Sequence, residues 1–299
     1  MNQLESFNAR FADCPGLEFI TIGDLILAKI DTPLARAMVA IQGAQIIEWQ
    51  PADEENLVVW RAEAPSYETG KSVRGGVPIC WPWFGNHATL TMAHGFVRFM
   101  DWQLMKADCH DDGVMSLHWR ITDNAQTRAL WPYPFELDLI MHIGIGQTLR
   151  MQLVTHNTGT ESFSITQGLH TYLKVGDTRS VVIRGLEGGY YLDKLKGFAR
   201  TQQDDVITIN GALDRIYFGT SHAIEIEDTE FNRLILVEKE GSHSTVVWNP
   251  DENVPAGMRP DESRHMVCVE AVNAADDTVS IAPGARKILG TTLSVRQLG

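Results

Sequence analysis

Met266-Val-Cys-Val-Glu-Ala-Val-Asn273 is an apolar run broken by one carboxylate. Read as a β-strand, it alternates its side chains: Met266, Cys268, Glu270 and Val272 share one face, while Val267, Val269 and Ala271 share the other. Both faces read as buried. An ionised carboxylate among apolar neighbours is costly unless it is paired, hydrogen-bonded or neutralised. Glu270 is therefore a residue at the strand's wet margin, a member of a structural ion pair, or a working group, and this segment alone leaves all three open.

The same pattern recurs outward from this run. Short branched or aromatic stretches punctuated by Gly, Pro, Asn and Asp include LEFITIG (17–23), DLILAKI (24–30), AMVAIQGAQIIEWQ (37–50), TLRMQLVTHNTG (148–159), SVVIRGL (180–186), HAIEIED (222–228), RLILVEKEG (233–241), STVVWNP (244–250) and KILGTTLSV (287–295). That is the signature of many strands joined by turns. Helical periodicity is confined to LESFNARFA near the start and a turn near Pro260-Asp-Glu-Ser. Helices long enough for parallel crossovers are missing, so the sequence predicts an all-β, large antiparallel β-sandwich with few short helices. No linker, composition shift or repeat divides the chain, and residues 1–299 read as a single domain.

Composition narrows the function classes. Hydrophobic residues at 44% and charged residues at 21% fit an ordinary globular chain without a membrane-spanning run. A net charge of −13 argues against nucleic acid and anionic membrane surfaces as partners. The N-terminus shows no basic region followed by an apolar one, so a cytoplasmic location is the expectation. Cys14, Cys80, Cys109 and Cys268 are widely spaced with no CxxC pair, and are expected to be reduced and packed. An anionic small substrate would need a local positive pocket. Residues 71–98 supply a candidate, holding Lys71, Arg74, Arg98 and two histidines with no acid, in a chain with 38 acidic residues.

Several common motifs are missing. There is no phosphate-binding loop with GK[ST], no dinucleotide fingerprint and no GxSxG elbow. Ten histidines form neither HExxH nor a tight HxH cluster, so a reaction without metal or cofactor is expected.

Four polar constellations remain. His94-Gly-Phe-Val-Arg98 follows the aromatic Trp81-Pro-Trp-Phe-Gly85, which could form a flat wall for a sugar with Arg74 and Arg98 as forked donors to an anion; the aromatics could equally be core. His170, in Gln167-Gly-Leu-His170-Thr-Tyr-Leu173, reads as a hydrogen-bonded core or surface histidine unless a carboxylate faces it. If one does, a histidine near its ordinary pKa and a partly buried glutamate divide the two halves of proton transfer. Asp214 either accepts from substrate hydroxyls or pairs with Arg215 in a turn. The fourth is Glu270.

Six pieces, SVRGGVPICWPWFG (72–85), AHGFVRFMDW (93–102), GLHTYLKVGD (168–177), LDRIY (213–217), VVWNP (246–250) and MVCVEAVN (266–273), together resemble the aldose 1-epimerase superfamily. They stand in family order, and Arg74 within VRGG resembles the hexose-6-phosphate mutarotase (glucose-6-phosphate 1-epimerase) branch. The resemblance implies a galactose mutarotase-like supersandwich and an isomerase that needs no metal or cofactor. Its small-molecule partner would be a hexose phosphate, D-glucose 6-phosphate above all, whose α and β anomers it interconverts, and the chain is expected to be a monomer. It further implies that Glu270 takes the proton of the C1 hydroxyl while His170 protonates the ring oxygen, that His94 holds the ring or C1 oxygen, that Asp214 fixes sugar hydroxyls, and that Arg74 and Arg98 clamp the phosphate. Lys71 receives no role. A neutral-aldose epimerase and a non-catalytic sugar-phosphate-binding module remain as alternatives.

Overall fold

Branched and aromatic runs become strands throughout the molecule, and turn-forming residues separate them. The computed structural model describes residues 2–299. An antiparallel meander opens the chain with Leu17–Ile22, Leu25–Asp31, Ala35–Ala40 and Gln45–Pro51. A nine-stranded sheet follows the order Ile207–Thr208, Val181–Arg184, Ile224–Asp228, Arg233–Glu240, Arg286–Gln297, Leu149–Asn157, Phe135–Ile143, Met115–Thr122 and Gln103–Cys109.

The eight-stranded sheet carries the cleft. Its order is Ala199–Gln202, Tyr190–Asp193, Leu213–Phe218, Ser244–Asn249, Met266–Asn273, Gln167–Leu169 and Ile79–Cys80, and Tyr172–Lys174 also pairs with Met266–Asn273. Bridges from Ile46 to Val77, Trp49 to Val59 and Val59 to Leu173 join the meander to this sheet. The core lies between the two large sheets. Val267, Val269 and Ala271 of the central strand share it with Ile235, Leu153, Leu289 and Leu293 of the nine-stranded sheet. This is the antiparallel sandwich that the strand pattern predicts, with every residue of Met266–Asn273 buried.

Helix is marginal here. Gln3–Arg10 forms because Asn2 and Glu5 cap each other reciprocally, Asn2 Oδ1 accepting from the Glu5 amide at 2.8 Å. Pro260–His265 is a 3-10 turn, as Pro260-Asp-Glu-Ser suggests. The short helix Ala125–Leu130, capped by Asn124, has too little periodicity to be read from sequence. One expectation fails: Cys14 and Cys109 are not free thiols but form a disulfide, with their Cα atoms 5.3 Å apart, because the N-terminal segment packs on the edge strand Gln103–Cys109. Cys80 and Cys268 are free and buried, as expected. Among the described residues, no helix is long and apolar enough to cross a membrane.

Candidate active site

The pairing of His170 with Glu270 follows from strand register. Gln167–Leu169 and Tyr172–Lys174 both run antiparallel to Met266–Asn273, with Leu169 opposite Ala271 and Tyr172 opposite Cys268. The register is common to both, so His170 lies directly across from Glu270. The strand is interrupted there: the His170 amide donates to Pro78 O at 3.0 Å, outside the ladder. On the other side of the central strand, Val246 pairs with Glu270.

Alternation then decides what each face meets. Val267, Val269 and Ala271 enter the main core. Met266 and Cys268 pack with Trp60 and Tyr172, and Val272 packs with Ile216 and Val246. Glu270 sits between these two small apolar clusters, its side chain 1% exposed. Its Oε1 is 3.4 Å from Nδ1 of His170, but neither carboxylate oxygen nor that nitrogen makes a hydrogen bond.

Burial sets the electrostatics of this pair. It raises the Glu270 carboxyl well above its ordinary range, with Lys194 opposing and Asp214 reinforcing. It also lowers His170 well below its ordinary range, helped by His94, Arg98, Arg74 and Lys194. The sequence expectation that His170 stays near its ordinary pKa is therefore corrected: the ring is largely desolvated and faces several cationic groups. Tyr172 stacks on it, ring centroids 4.8 Å apart at 11°, and Trp248 meets it edge-on.

His94 approaches from a strained loop. Its φ is +62°, and Gly95 beside it has a φ of +70° and no room for a side chain, since a Cβ would stand 1.7 Å from Trp81 O. The His94 amide donates to Gly85 O at 2.7 Å, and the Gly85 amide donates to His94 Nδ1 at 3.3 Å. With Nδ1 accepting, the neutral ring carries its proton on Nε2 and can donate from there. Burial first, then Arg98, Lys194 and Arg74, push its pKa down to about 3, so the ring is neutral.

These groups line a cavity of about 200 Å³ together with Arg74, Phe84, Tyr172, Lys194, Asp214, Trp248 and Pro255. Asp214 accepts from Lys194 Nζ at 2.7 Å through Oδ2, while its buried Oδ1 has no partner. Arg74 donates through Nε and Nη2 to Ala256 O at 3.1 and 2.9 Å, and through Nη1 to Tyr172 Oη at 3.3 Å. Larger depressions exist, one of about 510 Å³ beside Gln42, Asp101 and Arg120. Among the described residues, only the smaller cavity gathers unpartnered buried ionisable groups.

Of the six residues selected from sequence, five meet here. Arg98 does not line the cavity: its Nη2 donates to Ala93 O at 2.7 Å, its guanidinium stacks 4.6 Å from the Phe99 ring centre, and its Nε is buried without a partner. Lys71 is exposed and paired with Glu68, away from the cleft. Sequence reading missed Lys194, Tyr172 and Trp248. Tyr172 was accessible by alternation, two positions from His170 on the same strand face. Lys194 and Trp248 were not, because only strand pairing brings them to Asp214; Trp248 is opposite Asp214 and Cys268 in the ladders.

A family model described as aldose 1-epimerase matches residues 27–294. The chain belongs to the aldose 1-epimerase family. It is accordingly an isomerase of the aldose epimerase type, with a small sugar as its partner. It is 34% identical over 267 residues to an Escherichia coli K12 protein named "Putative glucose-6-phosphate 1-epimerase", covering 88% of each chain. It is 35% identical over 265 residues to a Salmonella typhimurium protein of the same name, covering 87% of each. The crystal structure of a "putative mutarotase" from Salmonella typhimurium superposes with a TM-score of 0.89 at 31% identity, covering 98% of this chain and 99% of that one. The sandwich of this epimerase is thus the galactose mutarotase-like fold.

Proposed function

We propose that the chain is a hexose-6-phosphate mutarotase that interconverts the α and β anomers of D-glucose 6-phosphate, working as a single domain over residues 1–299. The observation that carries this reading is the Glu270 carboxylate, buried and unpartnered, 3.4 Å from His170 in a cleft that also holds Arg74 and Lys194. The names of the Escherichia coli and Salmonella relatives support the phosphorylated substrate.

In this mechanism Glu270 removes the C1 hydroxyl proton and His170 protonates the ring oxygen as the C1–O5 bond breaks. Rotation about C1–C2 in the open aldehyde presents its other face, and re-closure returns both protons with the roles exchanged. The pair needs one proton between its two members. Without sugar, burial favours that proton on Glu270 and a neutral His170. Hydroxyl donors of a bound sugar favour the carboxylate, so binding moves the proton towards His170 and readies the pair.

The remaining groups hold the sugar. His94 Nε2–H donates to the ring or C1 oxygen, and the free Oδ1 of Asp214 accepts from a hydroxyl while Lys194 holds its other carboxylate oxygen. Arg74 exchanges Ala256 O for the phosphate, a planar fork well suited to that anion. Arg98 contributes positive potential from behind His94.

Anomeric exchange NMR on glucose 6-phosphate and on glucose, run in parallel, tests this reading. Accelerated exchange with a strong preference for the phosphorylated sugar is expected. Equal acceleration of both sugars would make the chain a neutral-aldose epimerase, and binding without acceleration would make it a sugar-phosphate-binding module.

A further inference from the structure

Cys268 lies two residues before Glu270, so alternation puts its thiol on the cleft side of the strand, beside the carboxylate and below His170. The catalytic reading gives this thiol no task. One ligand atom from each of His170, Cys268 and Glu270 falls within 4.8 Å of the other two. The set is one borderline imidazole, one soft thiol and one hard carboxylate, a mixture with a sulfur donor that suits Zn²⁺ and not the all-oxygen shells of Mg²⁺ or Ca²⁺.

We propose that His170, Cys268 and Glu270 form a site for a thiophilic divalent cation, with Zn²⁺ as its ligand, and that the bound metal and the sugar exclude each other. Three observations support it. First, the His170 Nδ1 to Glu270 Oε1 distance of 3.4 Å already matches the edge of a zinc tetrahedron; metal–ligand bonds of about 2.0–2.1 Å place such donors roughly 3.4 Å apart. The thiol reaches the third corner by a side-chain adjustment on the order of 1 Å. Second, His170 Nδ1 and both Glu270 oxygens have no hydrogen-bond partner, so metal binding breaks no hydrogen bond of theirs. Third, the charges balance. Zn²⁺ with one thiolate and one carboxylate is neutral overall, which relieves the penalty of placing charge in this buried pocket.

Binding releases the thiol proton and the proton that the His170–Glu270 pair holds, and forms Zn–N, Zn–S and Zn–O bonds. The fourth position opens on the cavity beside His94 and takes water. Three protein ligands leave the fourth position to an exogenous ligand. Mutual exclusion with the sugar rests on the proposed sugar site, whereas metal binding itself does not.

The test uses the full chain, freed of metal, titrated with Co²⁺ as a spectroscopic probe and with Zn²⁺ by calorimetry. One equivalent should bind, with a thiolate-to-cobalt charge-transfer band in the near ultraviolet that Zn²⁺ bleaches. Cys268→Ser should abolish the band and weaken Zn²⁺ at least 100-fold. Zn²⁺ should lower the wild-type anomerisation rate at least tenfold, while Cys268→Ala keeps its rate in the same zinc. A wild-type chain with no band, or a band that survives Cys268→Ser, overturns the site. If Cys268 variants fold poorly, wild-type protein decides: excess glucose 6-phosphate should weaken the cobalt band, and an unchanged band refutes mutual exclusion. The band is read without turnover, so a chain that binds cobalt but anomerises nothing counts against the proposed function and not against the metal site.

Discussion

Asp228 and Glu270 are both buried carboxylates on strands, one at the end of Ile224–Asp228 and the other in mid-strand, and their surroundings differ at every contact. Asp228 accepts from the amides of Gly176 at 3.2 Å and Phe231 at 3.3 Å, and lies 3.6 Å from Nε of a fully buried arginine, Arg233. Arg233 in turn donates to Glu54 Oε2, Leu57 O and Lys174 O at 3.2, 2.9 and 2.8 Å. Glu270 has no hydrogen-bond partner at all. Burial of charge is common to both, so it does not mark the site. What marks it is a buried ionisable group left unpartnered on the wall of a cavity, where a ligand can supply the missing contacts.

Three perturbations separate the two carboxylates. Arg233→Met removes the cation and strands Asp228, Glu54 and several carbonyls, and should cost about 3–5 kcal/mol of folding stability, read as a lower urea midpoint. It should leave the kcat of the folded protein unchanged. Arg74→Ala should raise KM for glucose 6-phosphate about 10–100-fold, the scale of one lost charge-assisted fork, while leaving kinetics on glucose unaltered.

The smallest effect concerns pH. The folded Glu270 carboxyl titrates well above its ordinary value of 4.5, so its favourable contribution is complete below that value and is lost as pH rises through the folded pKa. Glu270→Gln should therefore melt with the wild type in acid and gain stability over it as the pH is raised. A gain that grows towards acid instead would mean that Glu270 is paired in solution.

Much of this contrast was legible in the sequence, for identifiable reasons. Strand alternation put Glu270 and Cys268 on one face and Val269 on the other, and that division holds in the packing. Antiparallel architecture followed from the scarcity of helical periodicity. The meeting of His170 with Glu270 was not legible from residues alone, because it depends on a register between segments a hundred positions apart. For the same reason nothing in the sequence marks Lys194, which reaches Asp214 through the pairing of Tyr190–Asp193 with Leu213–Phe218. Arg98 reads as a partner of Arg74 in an acid-free stretch, but the chain after His94 turns its guanidinium onto Phe99 and Ala93. The Cys14–Cys109 disulfide, spanning 95 positions, depends on where the N-terminal segment docks, which no spacing rule encodes.

Anomeric exchange of glucose 6-phosphate, measured by NMR on wild type, Glu270→Gln and Arg233→Met below their melting temperatures, tests the central distinction directly. Exchange should persist at the wild-type rate in Arg233→Met and fall about 10²–10⁴-fold in Glu270→Gln, the usual contribution of a positioned proton-transfer group. Exchange retained in Glu270→Gln, or lost equally in both variants, would contradict the assignment of the unpartnered carboxylate as the working base.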